Sequence, residues 1–164
     1  MYMRLVLLSV LFFLSLTLMV NGQNMTNENL EKILFEAGDS LTGVPGNWQF
    51  EIEDVPMFCI TDEVHNRMRI ICPVRKMKEV TNDEFRKCME ANFHSVLDVR
   101  YASSRGVLWA AFIHPLRSLG EEQLLDAINQ LYNAALTFGT TYNSTNLSFP
   151  KSEEELSKNK TKKT

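Results

Sequence analysis

Residues 48–74 read WQFEIEDVPMFCITDEVHNRMRIICPV, and turn signals divide this stretch into three strands. Trp48, Phe50 and Ile52 alternate with Gln49, Glu51 and Glu53, the two-residue period of a half-buried strand. Pro56 allows a turn, and Met57–Thr61 reads as the second strand. The polar residues Asp62–Asn66 make a hairpin loop, and Met68–Val74 returns as the third, with Pro73 expected at an edge or near the strand end.

Working outward, the spacing of Leu30, Ile33, Leu34, Ala37 and Leu41 predicts an amphipathic helix before the strands. Thr26 or Asn27 can cap it, and Gly43-Val44-Pro45-Gly46 is expected to stop it. After the strands, Thr81 and Glu84 form a capping box that opens a helix with Phe85, Cys88, Met89 and Phe93 on one face. A fourth strand is predicted around Leu97–Ala102. The Ser103–Gly106 turn follows, and then Val107–Ile113, apolar enough for a central strand buried on both faces. Ser118 and Glu121 suggest a second capping box. Its helix carries Leu124, Leu125, Ile128, Leu131, Tyr132 and Ala135 on one stripe. The expected fold is α+β, in the order α-β-β-β-α-β-β-α, with an antiparallel sheet of about five strands and three helices.

That order resembles the type III secretion chaperone-like superfamily, in particular its YbjN-type members. The resemblance rests on Trp48-Gln49-Phe50 entering the first strand and Leu97-Asp98-Val99-Arg100-Tyr101 following a helix that ends Ala91-Asn92-Phe93. Gly106-Val107-Leu108-Trp109 opens the fifth strand, and Leu116–Leu119 leads into the last helix. It would span about Asn24 to Gly139. It implies a domain that binds polypeptide segments, often as a homodimer, without enzymatic activity. Secretion chaperones work in the cytoplasm, whereas this chain begins as an exported one does.

Met1–Arg4 carries one positive charge, Leu5–Val20 is apolar, and Asn21-Gly22-Gln23 is small or polar. This is the order of a cleavable signal peptide over residues 1–22. The run is shorter than the ~20 residues of a spanning helix, so no stable membrane anchor is expected after cleavage. The mature chain is read as periplasmic or secreted, with one domain over residues 24–142 and a polar, disordered tail over 143–164. Losing Arg4 leaves 16 basic and 20 acidic residues, a balance of −4, which argues against a nucleic-acid partner.

No catalytic motif stands out. Gly-x-Ser-x-Gly, Ser-x-x-Lys with its supporting motifs and His-Glu-x-x-His are all missing from the sequence, as is a phosphate-cradling glycine loop. Nothing points to a cofactor. Asp62, Glu63 and His65 form the one cluster with metal-ligand chemistry, and a solvated turn explains it more simply. His94 and His114 have no spaced partner. Glu51 and Glu53 read as the wet side of a strand, and Cys88 as a small core hydrophobe.

Cys59 and Cys72 fall opposite each other if the hairpin turns about His65 and Asn66, which makes them the candidate disulfide in an export compartment. Trp48, Tyr101 and Trp109 are the candidate binding surface, with burial on alternating strands as the plainer reading. Asn24, Asn143, Asn146 and Asn159 each begin an Asn-x-Ser/Thr triplet. These read as chance matches, because the family resemblance points to a bacterium. The sequence therefore suggests an exported, non-catalytic binding module, chaperone-like or an adaptor for an unidentified polypeptide. The alternative is a small-ligand or metal-binding envelope protein.

Overall fold

In the computed structural model, described here over residues 24–146, Thr26 starts the first helix as predicted. Its side chain accepts the amide of Asn29 at 3.2 Å, and α1 (Asn27–Ala37) buries Leu30, Ile33 and Leu34. The predicted leader at 1–22 and residues 147–164 of the predicted tail lie outside the described residues.

The helix does not run on to Leu41. Gly38 turns the chain in extended conformation, and Leu41 belongs to a short strand, β1 (Ser40–Val44). β2 (Asn47–Ile52), β3 (Val55–Asp62) and β4 (Arg67–Lys76) follow as a meander. Three sharp turns connect these four strands. Gly46 closes the first at φ +93°, and Glu53 and Asp54 sit at φ +45° and +68° in the second. The third is the four-residue loop 63–66, closed by Asp62 opposite Arg67. Gly43 has no room for a side chain, since a Cβ there would stand 2.3 Å from the carbonyl oxygen of Asn47.

The capping box at Thr81 and Glu84 is present and opens α2 (Asn82–His94). The buried side of α2 is Cys88 and Ala91. Met89 and Phe93 turn outward, 41 % and 77 % exposed, against the predicted stripe. β5 (Arg100–Ser104) and β6 (Val107–His114) form a hairpin through Arg105 and Gly106, both at positive φ. α3 (Glu121–Thr137) has Gly120 at its N-cap without a side-chain hydrogen bond. Ser118 donates instead to the carbonyl of Pro115 at 3.4 Å, so the second predicted capping box does not form.

The strand order is β1-β2-β3-β4-β6-β5, with every neighbouring pair antiparallel. The α+β architecture, the three helices and the single antiparallel sheet agree with the sequence reading, with β1 added as a sixth strand. Pro73 lies inside central β4, at a register shift between Pro73 and Arg75. A bulge leaves one residue unpaired, which is how a proline is accommodated away from an edge.

Among the described residues the three α-helices pack on one face of the sheet: α1 against β1 and β2, α2 against β5, and α3 against β4 and β6. Trp48, Phe50, Met57, Ile70, Leu108 and Phe112 point into this layer and are buried. The C-terminal turn packs there too. Tyr142 and Ser144 are buried, and the Ser144 amide donates to the Ser95 carbonyl at 3.1 Å. The ordered body thus reaches past residue 142 into the segment read as tail.

Candidate docking surface

Alternation in a strand gives every inward residue two outward neighbours, and on β3, β4 and β6 most of those neighbours are also apolar. Phe58 pairs with Ile71, Ile71 with Ala111 and Ala111 with Arg100. The next row is Pro73, Trp109 and Ala102. On the other side, Ile60 pairs with Arg69 and Arg69 with Ile113. Directly opposed residues lie roughly 4.5–5.5 Å apart at Cβ, so the rows join into one apolar surface. Among the described residues no helix covers this face.

Trp109 anchors the patch. It is half-buried, its ring meets that of Phe58 edge-on at 6.4 Å between centroids, and its Nε1 donates to the Ser104 carbonyl at 3.2 Å. Its hydrogen bond is satisfied, yet part of the indole remains free for contact. Ile60 and Ile113 are 38 % and 66 % exposed. β6 is central, as its sequence predicts, but it is buried on one side only, because the helices supply a second layer on one face alone.

Arg69 stands between those two isoleucines, exposed and without a hydrogen bond or ion pair among the described residues. The other arginines of this face are engaged locally. Arg67 donates to the Asn66 carbonyl at 3.1 Å, and Arg100 to the carbonyls of Leu97 and Val99. A guanidinium with no partner on an apolar face is suited to a carboxylate brought by another molecule.

The two edges of the sheet differ. At β5 the side chain of Asn92 occupies the backbone groups of Tyr101. β1, at the opposite edge, runs beside a groove of about 430 Å³ whose lining includes Phe35, Leu41 and Thr42. Phe35 is 71 % exposed there.

Of the three residues proposed from sequence as a binding surface, only Trp109 is on the outside. Trp48 and Tyr101 are 1 % and 2 % exposed and belong to the core, because their strand positions face the helices. The Tyr101 hydroxyl donates to the Ala134 carbonyl at 2.6 Å, and burial raises its pKa. Among the described residues the buried Trp48 Nε1 has no hydrogen-bond partner. Phe58, Ile60, Arg69, Ile71 and Ile113 were missed. Their signal was present, as apolar residues at both parities of the second, third and fifth predicted strands, but parity alone does not say which face meets helices.

Cys59 and Cys72 are not opposite each other. Cys59 pairs with Ile70 and Cys72 with Ala110. The hairpin is centred one residue earlier than the sequence reading placed it, which moves each cross-strand partner by two. Both thiols are free and buried, as is Cys88. Burial pushes Cys59 and Cys72 up to about 12, and burial together with the Glu84 charge pushes Cys88 up to about 11.

In the hairpin loop, His65 Nδ1 lies 2.7 Å from the Asp62 carboxylate, and the His65 amide and ring hold that carboxyl below its ordinary range. The backbone carbonyl of Glu63 accepts from Arg117 at 2.9 Å. His114 stacks on Phe112 with 5.7 Å between centroids, and His94 meets Phe93 edge-on. The three histidines are thus dispersed. Among the described residues no group of three or more His, Cys, Asp and Glu is placed to hold a metal ion, and no helix is long and apolar enough to cross a membrane.

No family model matches the sequence, and no curated protein does either. Solved structures do match the fold. The chain is similar to the ExsC–ExsE complex, at a TM-score of 0.52 and 14 % identity, over 66 % of this chain and 90 % of that one. It is also similar to the HopA1–SchA chaperone–effector complex, at 0.52 and 13 %, covering 68 % and 94 %. A third is the Yersinia pestis type III secretion chaperone SycH with a stable fragment of YscM2, at 0.50 and 12 %, covering 66 % and 98 %. The chain has a secretion chaperone-like fold. At these identities the likeness establishes architecture; function has to be argued from the surface.

Proposed function

We propose that the mature chain is an exported, non-catalytic module that binds an extended polypeptide segment on its open sheet face. The observation that carries this reading is the apolar surface around Trp109 with unpaired Arg69 within it. The segment that fits has apolar side chains for the surface around Phe58, Ile71 and Trp109, and an Asp or Glu for Arg69. Support also comes from the structural neighbours, which include a chaperone–effector complex and a secretion chaperone bound to a fragment of another protein. The leader expected at 1–22 supports a place outside the cytoplasm rather than at a secretion apparatus.

The face is preferred to the β1 edge because it joins a half-exposed indole, two exposed isoleucines and a free cation. Large aromatic and arginine side chains dominate binding energies at interfaces. An array of extended peptides alternating apolar residues with Glu or with Lys tests the proposal. The Glu series is expected to bind, and Trp109→Ala and Arg69→Glu should each weaken it about tenfold or more, with the unfolding transition kept. Equal binding of both series, or full binding by both variants, rejects the open face as the site.

A further inference from the structure

The bulge in β4 decides where its cations stand. Arg69, Ile71 and Pro73 are on the open face, and a regular strand would place Arg75 there next, with Lys76 turned inward. The register shift between Pro73 and Arg75 reverses this order, because one extra residue moves every later side chain to the opposite face. Arg75 therefore pairs with buried Leu108 and reaches the helical side. Its guanidinium lies 3.3 Å from the Glu84 carboxylate and 4.7 Å from the centre of the Phe138 ring. Lys76 pairs with Val107, which has the parity of Trp109 and Ala111, so Lys76 is on the open face.

Lys76 is exposed and, like Arg69, has no hydrogen bond or ion pair among the described residues. Arg69 pairs with Ile113 and Lys76 with Val107. The two cations are thus separated by the rise from 107 to 113, roughly 20 Å at about 3.3–3.4 Å per residue. Between them the outward paired positions of β4 and β6 are Ile71, Pro73, Ala111 and Trp109, all apolar. The carboxylates of this face are engaged elsewhere. Asp62 is held by His65 at 2.7 Å, and Glu51, out on β2, accepts from Ser40 at 3.5 Å.

We infer that the segment bound on this face carries two carboxylates six residues apart with apolar side chains between them. One carboxylate meets Arg69 and the other Lys76. The apolar side chains, two and four residues along, meet the rows of Ile71 and Trp109. This deepens the proposed function and rests on it. An extended segment laid along β4 presents alternate side chains at about 6.6–6.8 Å, the spacing of the rows beneath it, so one side of the segment meets four successive rows. The pattern reads the same from either end, and it admits the segment in both directions. Each exposed ion pair contributes modestly. The apolar rows supply most of the affinity, and the paired cations supply the choice among segments.

Two labelled peptides of identical composition test the spacing, Glu-Ser-Leu-Ser-Leu-Ser-Glu and Leu-Ser-Glu-Ser-Glu-Ser-Leu, titrated against the purified protein by fluorescence anisotropy. The first is expected to bind about five- to tenfold more tightly, with the advantage shrinking as salt is raised. Lys76→Glu should erase most of that preference and keep the unfolding transition. The double variant Arg69→Glu/Lys76→Glu should bind Lys-Ser-Leu-Ser-Leu-Ser-Lys in place of the Glu peptide, a gain that damage to the fold does not produce. Equal binding of the two isomers, or a preference that survives Lys76→Glu, overturns the spacing and leaves the open face standing as the site. Binding of neither isomer overturns both.

Discussion

The carboxamide of Asn92 closes the edge of the sheet at Tyr101, its Nδ2 donating to the Tyr101 carbonyl at 3.1 Å and its Oδ1 accepting the Tyr101 amide at 2.7 Å. One side chain thereby replaces the neighbouring strand that β5 lacks. An unpaired edge is a template for another chain, and here α2 supplies the cover. Asn92→Ala removes both bonds at a part-buried site and should cost about 1–3 kcal/mol of stability, read by chemical denaturation. Hydrogen exchange at the Tyr101 amide should accelerate with it. Unchanged protection at Tyr101 would show that another group covers the edge.

Trp48 and Trp109 occupy opposite faces of the sheet, and their truncations should separate accordingly. Trp48 is fully within the helical layer, so Trp48→Ala should cost about 3–5 kcal/mol. Trp109→Ala should cost distinctly less, since the indole is half exposed and its losses are the edge contact with Phe58, one hydrogen bond and partial burial beside Pro73 and Ala102. Urea unfolding of both variants checks this. Equal losses would mean that the outer face is covered.

The three thiols should stay inert in the native chain. Held at about 12, 12 and 11, they carry almost no thiolate at neutral pH, and reactivity follows the thiolate. A neutral alkylating reagent at pH 8 should leave the folded protein untouched and add three groups after denaturation. Rapid labelling of one thiol without unfolding would contradict its burial.

Glu84 ties stability to acid pH. Its carboxyl accepts from the Thr81 amide at 2.8 Å and the Thr81 hydroxyl at 2.9 Å, which lowers its pKa below the ordinary 4.5. Between that lowered value and 4.5 the unfolded chain binds more protons, so stability rises with pH across the window. The contribution is fully present above 4.5 and is lost as pH falls through the folded value. Glu84→Gln should flatten this part of the melting-temperature profile. An unchanged acid slope would assign it to Asp62 or Asp83, whose pKa values are also lowered.

Much of the fold was legible locally. Thr81 and Glu84 announced α2, the Trp48–Ile52 alternation announced β2, and the Leu30–Ile33–Leu34 stripe announced α1, because each signal lies within a few residues of the feature it specifies. β1 was hidden, since Leu41 keeps helical spacing from Ala37 and five residues show no alternation of their own. The docking surface was legible only in Trp109. Phe58, Ile60, Ile71 and Ile113 look like core in sequence, where apolar character marks burial and exposure alike.

Helix caps, turn residues and periodicity are short-range properties, and they were enough to specify the α+β class and the antiparallel hairpins. Tertiary structure alone decided which side of each strand became the core. The three helices pack on a single face, which buries Trp48 and Tyr101 and leaves Trp109 half open with Arg69 nearby. It also decided the hairpin register that separates Cys59 from Cys72. Layer order and register depend on contacts between residues far apart in the chain, and a one-residue shift of a turn, which local spacing does not resolve, exchanges every partner across a pair of strands.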